Sequence, residues 1–303
     1  MSAPRQRRPR SIAEMRELPE FTTDEAYEHG LAFQPVPTDI IISPYAKSGT
    51  TWTQQIVHTL RSRGDMAFDD ISRVVPWLEV STDFGIDLDA AQAWQPRAYK
   101  SHLTWHKVPK GARYIVPVRD PRDVLVSLYR FNEGWFFEPG SVSMAEYAVG
   151  FLEPSESHGY WHHLLSWWPQ RFRDDVLLLA YESMQADPAG AIQKIAAFCD
   201  IPLDEALLQL TLTHSSFKFM LQHKDRFDDK MMRDRSESRL GLPPGSDSAK
   251  VRRGQVGSHA YELSDEILAR LAELWQQEIT ARIGLPSYEA LHREIDRDGF
   301  QSN

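Results

Sequence analysis

Ile40-Ile41-Ile42-Ser43-Pro44-Tyr45-Ala46-Lys47-Ser48-Gly49-Thr50-Thr51-Trp52-Thr53-Gln54-Gln55-Ile56 is the stretch from which the fold is read. A β-branched run breaks into a small, polar turn. The turn leads into Trp52, Ile56, Val57 and Leu60 at helical spacing. Strand, tight turn and helix together aim backbone N–H groups and a helix N-terminus at an anion. Lys47, Thr50 and Thr51 add a mobile cation and two hydroxyl donors around Gly49. The stretch predicts a phosphate-type cradle. It is not the usual P-loop, G-x-x-x-x-G-K-[ST], in which Lys follows the last Gly. Pro44 stands where the first Gly would be, and the lysine has moved two residues ahead of Gly49. Ordinary NTP·Mg²⁺ chemistry is therefore disfavoured.

Working outward, Ala98-Tyr99-Lys100-Ser101-His102 and Val176–Leu179 read as further strands. Tyr114–Val118 reads as another, although Pro117 removes a ladder donor. That strand runs into Arg119-Asp120-Pro121-Arg122-Asp123, where Asp120 suits an N-cap and Pro121 the first helical position. This second strand–turn–helix unit is again laid out like an anion site. Strands alternating with helices predict an α/β fold. Its core is a P-loop-like parallel sheet of about four to five strands, flanked by helices on both faces. Residues 1–20 read as a disordered basic arm, and the approach to Ile40, with Pro35 and Pro37, as irregular. Residues 21–303 read as a single domain. Within it, 224–258 is dense in charge, Gly and Pro and reads as a lid or closing loop.

The 303 residues carry a net charge of −9, which argues against a general nucleic-acid binder. Cys199 is the sole cysteine; it excludes an intramolecular disulfide and points to a reducing, cytoplasmic setting. No apolar run reaches the length of a membrane span. Among His158, His162 and His163, only His158 and His162 have i, i+4 spacing, without an interposed Glu or a Cys partner, and no metal is expected.

These motifs resemble those of the cytosolic sulfotransferases, with the character of a bacterial-like member. The resemblance covers roughly Pro35 to Gly257 in the family's order. Tyr45–Trp52 is similar to the Y-P-K-S-G-T-T-W loop, Arg119 through Ser127 to R-[DN]-x-x-D-x-x-x-S, and Arg252-Arg253-Gly254-Gln255-Val256-Gly257 to R-K-G-x-x-G. Lys100-Ser101-His102 resembles K-T-H, and Val75-Pro76-Trp77-Leu78-Glu79 resembles V-P-F-L-E. Ala46 replaces the family's proline, and Ser258-His259 stands where it has Asp-Trp-Lys. The family's C-terminal dimer signature is not found, so oligomeric state is left open.

The resemblance implies transfer of a sulfuryl group from 3′-phosphoadenosine 5′-phosphosulfate (PAPS) to a hydroxyl or amine of a small, lipophilic or aromatic acceptor. It implies His102 as base, Lys47 on the leaving phosphate and Lys100 at the transferring group. It assigns Lys47, Ser48, Gly49, Thr50, Thr51 and Trp52 to the 5′ end of the donor, and Arg119, Ser127, Arg252, Arg253 and Gly254 to its 3′-phosphate. Trp52, Tyr181 and Phe217, with Ser215 and Ser216, would surround the adenine. Trp77, Phe84 and Trp135 are candidates for the acceptor wall. Two alternatives stand beside this reading: a nucleotide kinase or NTPase with an atypical P-loop, and a non-catalytic binder of a 3′,5′-bisphosphate nucleotide.

Overall fold

The computed structural model describes residues 7–248, 250, 257 and 259–298. Four strands, β1 (Ile40–Ile42), β2 (Ala98–Lys100), β3 (Arg113–Val118) and β4 (Val176–Ala180), form one sheet in the order β2-β1-β3-β4. Every pairing is parallel. Parallel strands need crossovers, whose helices cover both faces, so the strands are mostly apolar, with Lys100 ending β2 and Arg113 starting β3. Side chains alternate between faces. Ile41, Tyr99, Tyr114 and Val116 join one core with Trp161, Leu164 and Trp167. Ile40, Ile42 and Ile115 join the other with Ile56, Val57, Leu60, Ile192 and Ile195.

Register fixes where the chemistry gathers. Ile42 pairs with Lys100 on one side and Ile115 on the other. The residues following all four strands therefore emerge at one edge of the sheet: Ser43 onward, Ser101-His102, Arg119 and Tyr181. β1 is also where the chain reverses its direction across the sheet, the place at which open α/β sheets hold ligands.

Pro117 proves compatible with an inner strand. Arg113 donates to Asp39 and Ser43 donates to Ile115, so the odd-numbered residues of β3 face β1. The last pair on that side is Ile42 with Ile115. At Pro117, β1 has already turned into its loop, and no ladder bond is lost.

Three segments are more regular than the sequence predicts. Ile12–Arg16 and Asp24–Ala32 are helices, started by Ser11 and Thr23, whose side chains accept from Glu14 and Ala26 backbone N–H groups. Both are short caps on polar runs with little amphipathic signal. Asp24–Ala32 lies so close to Leu78 that a Cβ on Gly30 would come within 2.4 Å of the Leu78 carbonyl oxygen. The expected lid contains the helix Lys230–Leu240. Met232, Leu240 and Leu242 are buried against Trp77, Val80 and Phe136, and Arg235 pairs with Asp83.

Candidate functional site

The turn after β1 is built around two left-handed residues, Lys47 (φ 68°) and Gly49 (φ 101°). At Gly49 this conformation is free of penalty; at Lys47 it is uncommon and has to be held. Arg119 does part of the holding, donating from Nη1 to the Lys47 carbonyl at 3.2 Å. Gly49 also has no room for a side chain, since a Cβ would sit 2.9 Å from the Tyr181 ring.

Helix Thr50–Ser62 starts at Gly49 without a side-chain cap and without an acidic residue in its first turn. Its leading N–H groups have no intrahelical acceptors. Ser48 Oγ and Thr50 Oγ1 are buried with no hydrogen-bond partner among the described residues. Buried hydroxyls are normally paired. Orphaned hydroxyls beside an open helix N-terminus fit a tetrahedral anion, so the residues present suit a phosphate or phosphosulfate group.

Lys47 Nζ lies 4.3 Å from the centroid of the Phe131 ring. Its pKa is held well below that of a free lysine, first by desolvation and then by Lys250, Arg119 and Lys100, against the opposing pull of Asp229. Lys100, at the end of β2, is 1 % exposed. Its Nζ stands 3.8 Å over the Trp77 ring and 3.8 Å from Asp229 Oδ2. Unit charges at that separation attract by about 4 kcal/mol at an effective dielectric of about 20. That is the scale of the several kcal/mol lost by burying an ion. Burial lowers the Lys100 pKa to about 8, with Asp229, Glu79 and Asp70 opposing and Lys250 adding to the fall.

His102 follows Lys100 and Ser101 out of the sheet. Its backbone N–H donates to Glu79 Oε1 at 2.7 Å, and its Nδ1 is 2.8 Å from the Pro44 carbonyl oxygen. A carbonyl only accepts, so Nδ1 carries the proton and Nε2 presents a lone pair. The Trp77 ring meets the imidazole edge-on at 5.2 Å. Desolvation first, then Lys100, Lys250 and His163, lower the His102 pKa well below 6.5, despite the Pro44 hydrogen bond. The neutral, proton-accepting form persists at neutral pH.

Arg119 leaves β3 and lies with its guanidinium carbon 4.4 Å from the Tyr181 centroid and Nη2 3.8 Å from Asp123 Oδ2. Tyr181 meets Trp52 in a T-shaped contact at 5.6 Å. The cradle, Arg119, Tyr181 and Trp52 thus form one continuous surface. Ser127 is half-buried, two turns into helix Pro121–Trp135. Arg252, Arg253 and Gly254 lie outside the described residues. The last glycine of that motif, Gly257, donates its N–H to Asp123 Oδ2 at 2.8 Å.

The other expected residues make contacts of their own. Phe217 is 41 % exposed. Ser215 is buried and returns its hydroxyl to Thr211 O within its own helix. Ser216 accepts from the Phe219 backbone N–H as a helix cap. Trp135 is fully buried, stacked on Phe136 and edge-on to Phe131. Trp135 lies behind Phe131, which is one turn earlier and faces Lys47. Phe84 is half-buried beside the Trp77 cluster. A cavity of about 540 Å³ adjoins the loop at Tyr45 and Leu128 and is also lined by Phe136, Tyr147, Phe151 and Tyr160. His163 is buried, its Nε2 3.1 Å from the Ser43 carbonyl oxygen, and is a core residue. Sequence reasoning passed over Phe131, Asp229 and Lys250. Phe131 had a signal, an aromatic one turn before Trp135; the other two had none.

Residues 37–282 match the family model described as the sulfotransferase domain. Sulfotransferase 1B1 of Mus musculus is 35 % identical over 204 residues, covering 63 % of this chain and 68 % of its own. The 3-beta-hydroxysteroid sulfotransferase of Cavia porcellus is 34 % identical over 195 residues, covering 61 % and 67 %. Among solved structures, mouse sulfotransferase SULT7A1 complexed with PAP is similar, with a TM-score of 0.67, 19 % identity and coverage of 91 % of this chain and 95 % of that one. Retinol dehydratase in complex with androsterone and inactive cofactor PAP gives 0.66, 20 %, 85 % and 84 %.

Proposed function

This chain belongs to the sulfotransferase family, and from that membership we propose that it transfers a sulfuryl group from PAPS to a hydroxyl or amine of a small, lipophilic or aromatic acceptor. The observation that carries the reading is the pairing of an open anion cradle with a neutral imidazole behind the adjacent strand. Ser48 and Thr50 offer hydroxyls without partners among the described residues, while His102 offers Nε2.

In this reading Ser48, Thr50, Thr51 and the N-terminus of helix Thr50–Ser62 hold the 5′-phosphate. Arg119 and Ser127 hold the 3′-phosphate, with Arg252, Arg253 and Gly254 closing over it. Trp52 and Tyr181 flank the adenine, with Phe217 at its outer side. His102 Nε2 takes the acceptor proton as the acceptor oxygen bonds to sulfur and the bond from sulfur to the phosphate oxygen breaks. Lys47 neutralises the charge left on that phosphate, and Lys100 the charge on the transferring group. Fixed cations aimed at developing charge are commonly a large catalytic term. Trp77, Phe84 and the cavity beside Tyr45 supply apolar walls for the acceptor, backed by Trp135; a volume of this size suits a small molecule.

Incubation with ³⁵S-labelled PAPS and a panel of phenols, sterols and amines tests the proposal. Label is expected in at least one acceptor, insensitive to EDTA. The His102→Asn variant is expected to lose about 10²- to 10⁴-fold in kcat while still binding adenosine 3′,5′-bisphosphate. Tight nucleotide binding without any transfer would favour a non-catalytic binder. EDTA-sensitive transfer of phosphate would favour a kinase.

A further inference from the structure

The chemistry above gives no task to a carboxylate, yet one lies inside the cation cluster. Asp229 is 3 % exposed. Lys100 Nζ is 3.8 Å from its Oδ2, and Lys250 Nζ donates to the same oxygen. Oδ1 is buried with no hydrogen-bond partner among the described residues. The backbone at Asp229 is left-handed, φ 47°, a conformation uncommon outside glycine. Asp229 also precedes helix Lys230–Leu240, where an aspartate ordinarily turns back to cap the first N–H groups. It makes no such cap. Its side chain is spent on the lysines instead.

We propose that Asp229 is an internal counter-ion: it occupies Lys100 and Lys250 while the donor is away and yields them to the donor's anionic end on binding. The inference rests on the donor-site reading above. A site for an anion gains nothing from a carboxylate once that anion is bound. Without the anion, however, Lys47, Lys100 and Lys250 would be left together in a poorly hydrated place with their charges unbalanced, which is strongly unfavourable. Asp229 answers that problem. All three lysines act to keep it ionised against the effect of burial. The other groups bearing on Lys100 are Glu79 and Asp70, which favour its charge, and Lys250, which opposes it; Lys100 in turn acts on His102 and Lys47. Donor affinity is then an exchange, in which a ligand has to outcompete one buried carboxylate.

The test is calorimetric titration of the full chain with adenosine 3′,5′-bisphosphate at low and high salt, in wild type, Asp229→Asn and Asp229→Asn with Lys100→Met. Asp229→Asn is expected to bind about tenfold more tightly at low salt, equivalent to about 1.4 kcal/mol. The gain should shrink at high salt and in the double variant. Ligand-free Asp229→Asn should melt at a lower temperature, and nucleotide should restore more of the loss than it adds to wild type. Asp229→Ser is the second variant should Asn not fold. Wild-type binding with equal or weaker binding by the Asp229 variants overturns the counter-ion and leaves the donor site standing. Failure of wild type to bind overturns both.

Discussion

The two strand–turn–helix units of this molecule share a layout but leave their helix ends in opposite states. After β1, helix Thr50–Ser62 has no side-chain cap and no acid in its first turn, and Ser48 and Thr50 keep unpartnered hydroxyls among the described residues. After β3, helix Pro121–Trp135 is capped by Asp120, which accepts from the Arg122 N–H and pairs with the Arg122 guanidinium. Asp123 accepts from Gly257 and His259, and Glu182 accepts from the Asp120 N–H. The first N-terminus is open to a ligand; the second is filled by the protein's own carboxylates. The sequence reading treated both as anion sites of one kind. Only the first leaves its helix end without a side-chain cap. What the second unit would offer an anion, in the function proposed above, is Arg119, which turns back over Tyr181 toward the first loop.

The sharpest way to break this contrast is to remove charge from the open end. Lys47→Met should lower kcat/KM by about 10²- to 10³-fold, with the melting temperature little changed; steady-state kinetics and thermal melts check both. Gly49→Ala acts on shape: a left-handed alanine whose Cβ meets the Tyr181 ring should destabilise the fold by about 1–3 kcal/mol, measured by denaturant unfolding. It should also weaken nucleotide binding. A smaller effect is expected with pH. In the proposed mechanism Lys100 acts as a cation, and burial brings its pKa to about 8. kcat/KM should therefore fall as pH rises through about 8, since that ratio reports the free enzyme. The acid limb, set by His102, should lie below the 6.5 of a free imidazole. Asp120→Ala should have the least consequence for binding. Losing an N-cap costs about 1 kcal/mol of stability, while nucleotide affinity should change by less than threefold. A large loss of affinity there would show that the second helix end holds the ligand after all.

What could be read beforehand follows from how local the cause is. The turn at 45–52 carries its chemistry in adjacent residues, as does Asp120-Pro121, and both were legible. Tyr181 and Arg119 entered as expectations through the family resemblance, and both stand directly after strands of the sheet. Asp229 was not. Its partners are 129 residues earlier and 21 later, and an acid in a site for an anion contradicts the simplest charge argument. The helices Asp24–Ala32 and Lys230–Leu240 were missed because packing decides them: Gly30 against the Leu78 backbone, Met232 and Leu240 against Trp77. Trp135 was assigned to the acceptor wall by its aromatic character. Helical geometry places Phe131 at the front and Trp135 behind it.

The hydrogen bond from Arg119 to the Lys47 carbonyl makes the recognition site a single instrument rather than two independent grips. The residue proposed for one end of the nucleotide also holds the backbone of the lysine proposed for the other. Redesigning this protein for a donor with a different 3′ substituent will therefore not be modular: any change at Arg119 is also a change in how Lys47 is presented. Such variants should lose turnover along with affinity unless the carbonyl is given a new donor.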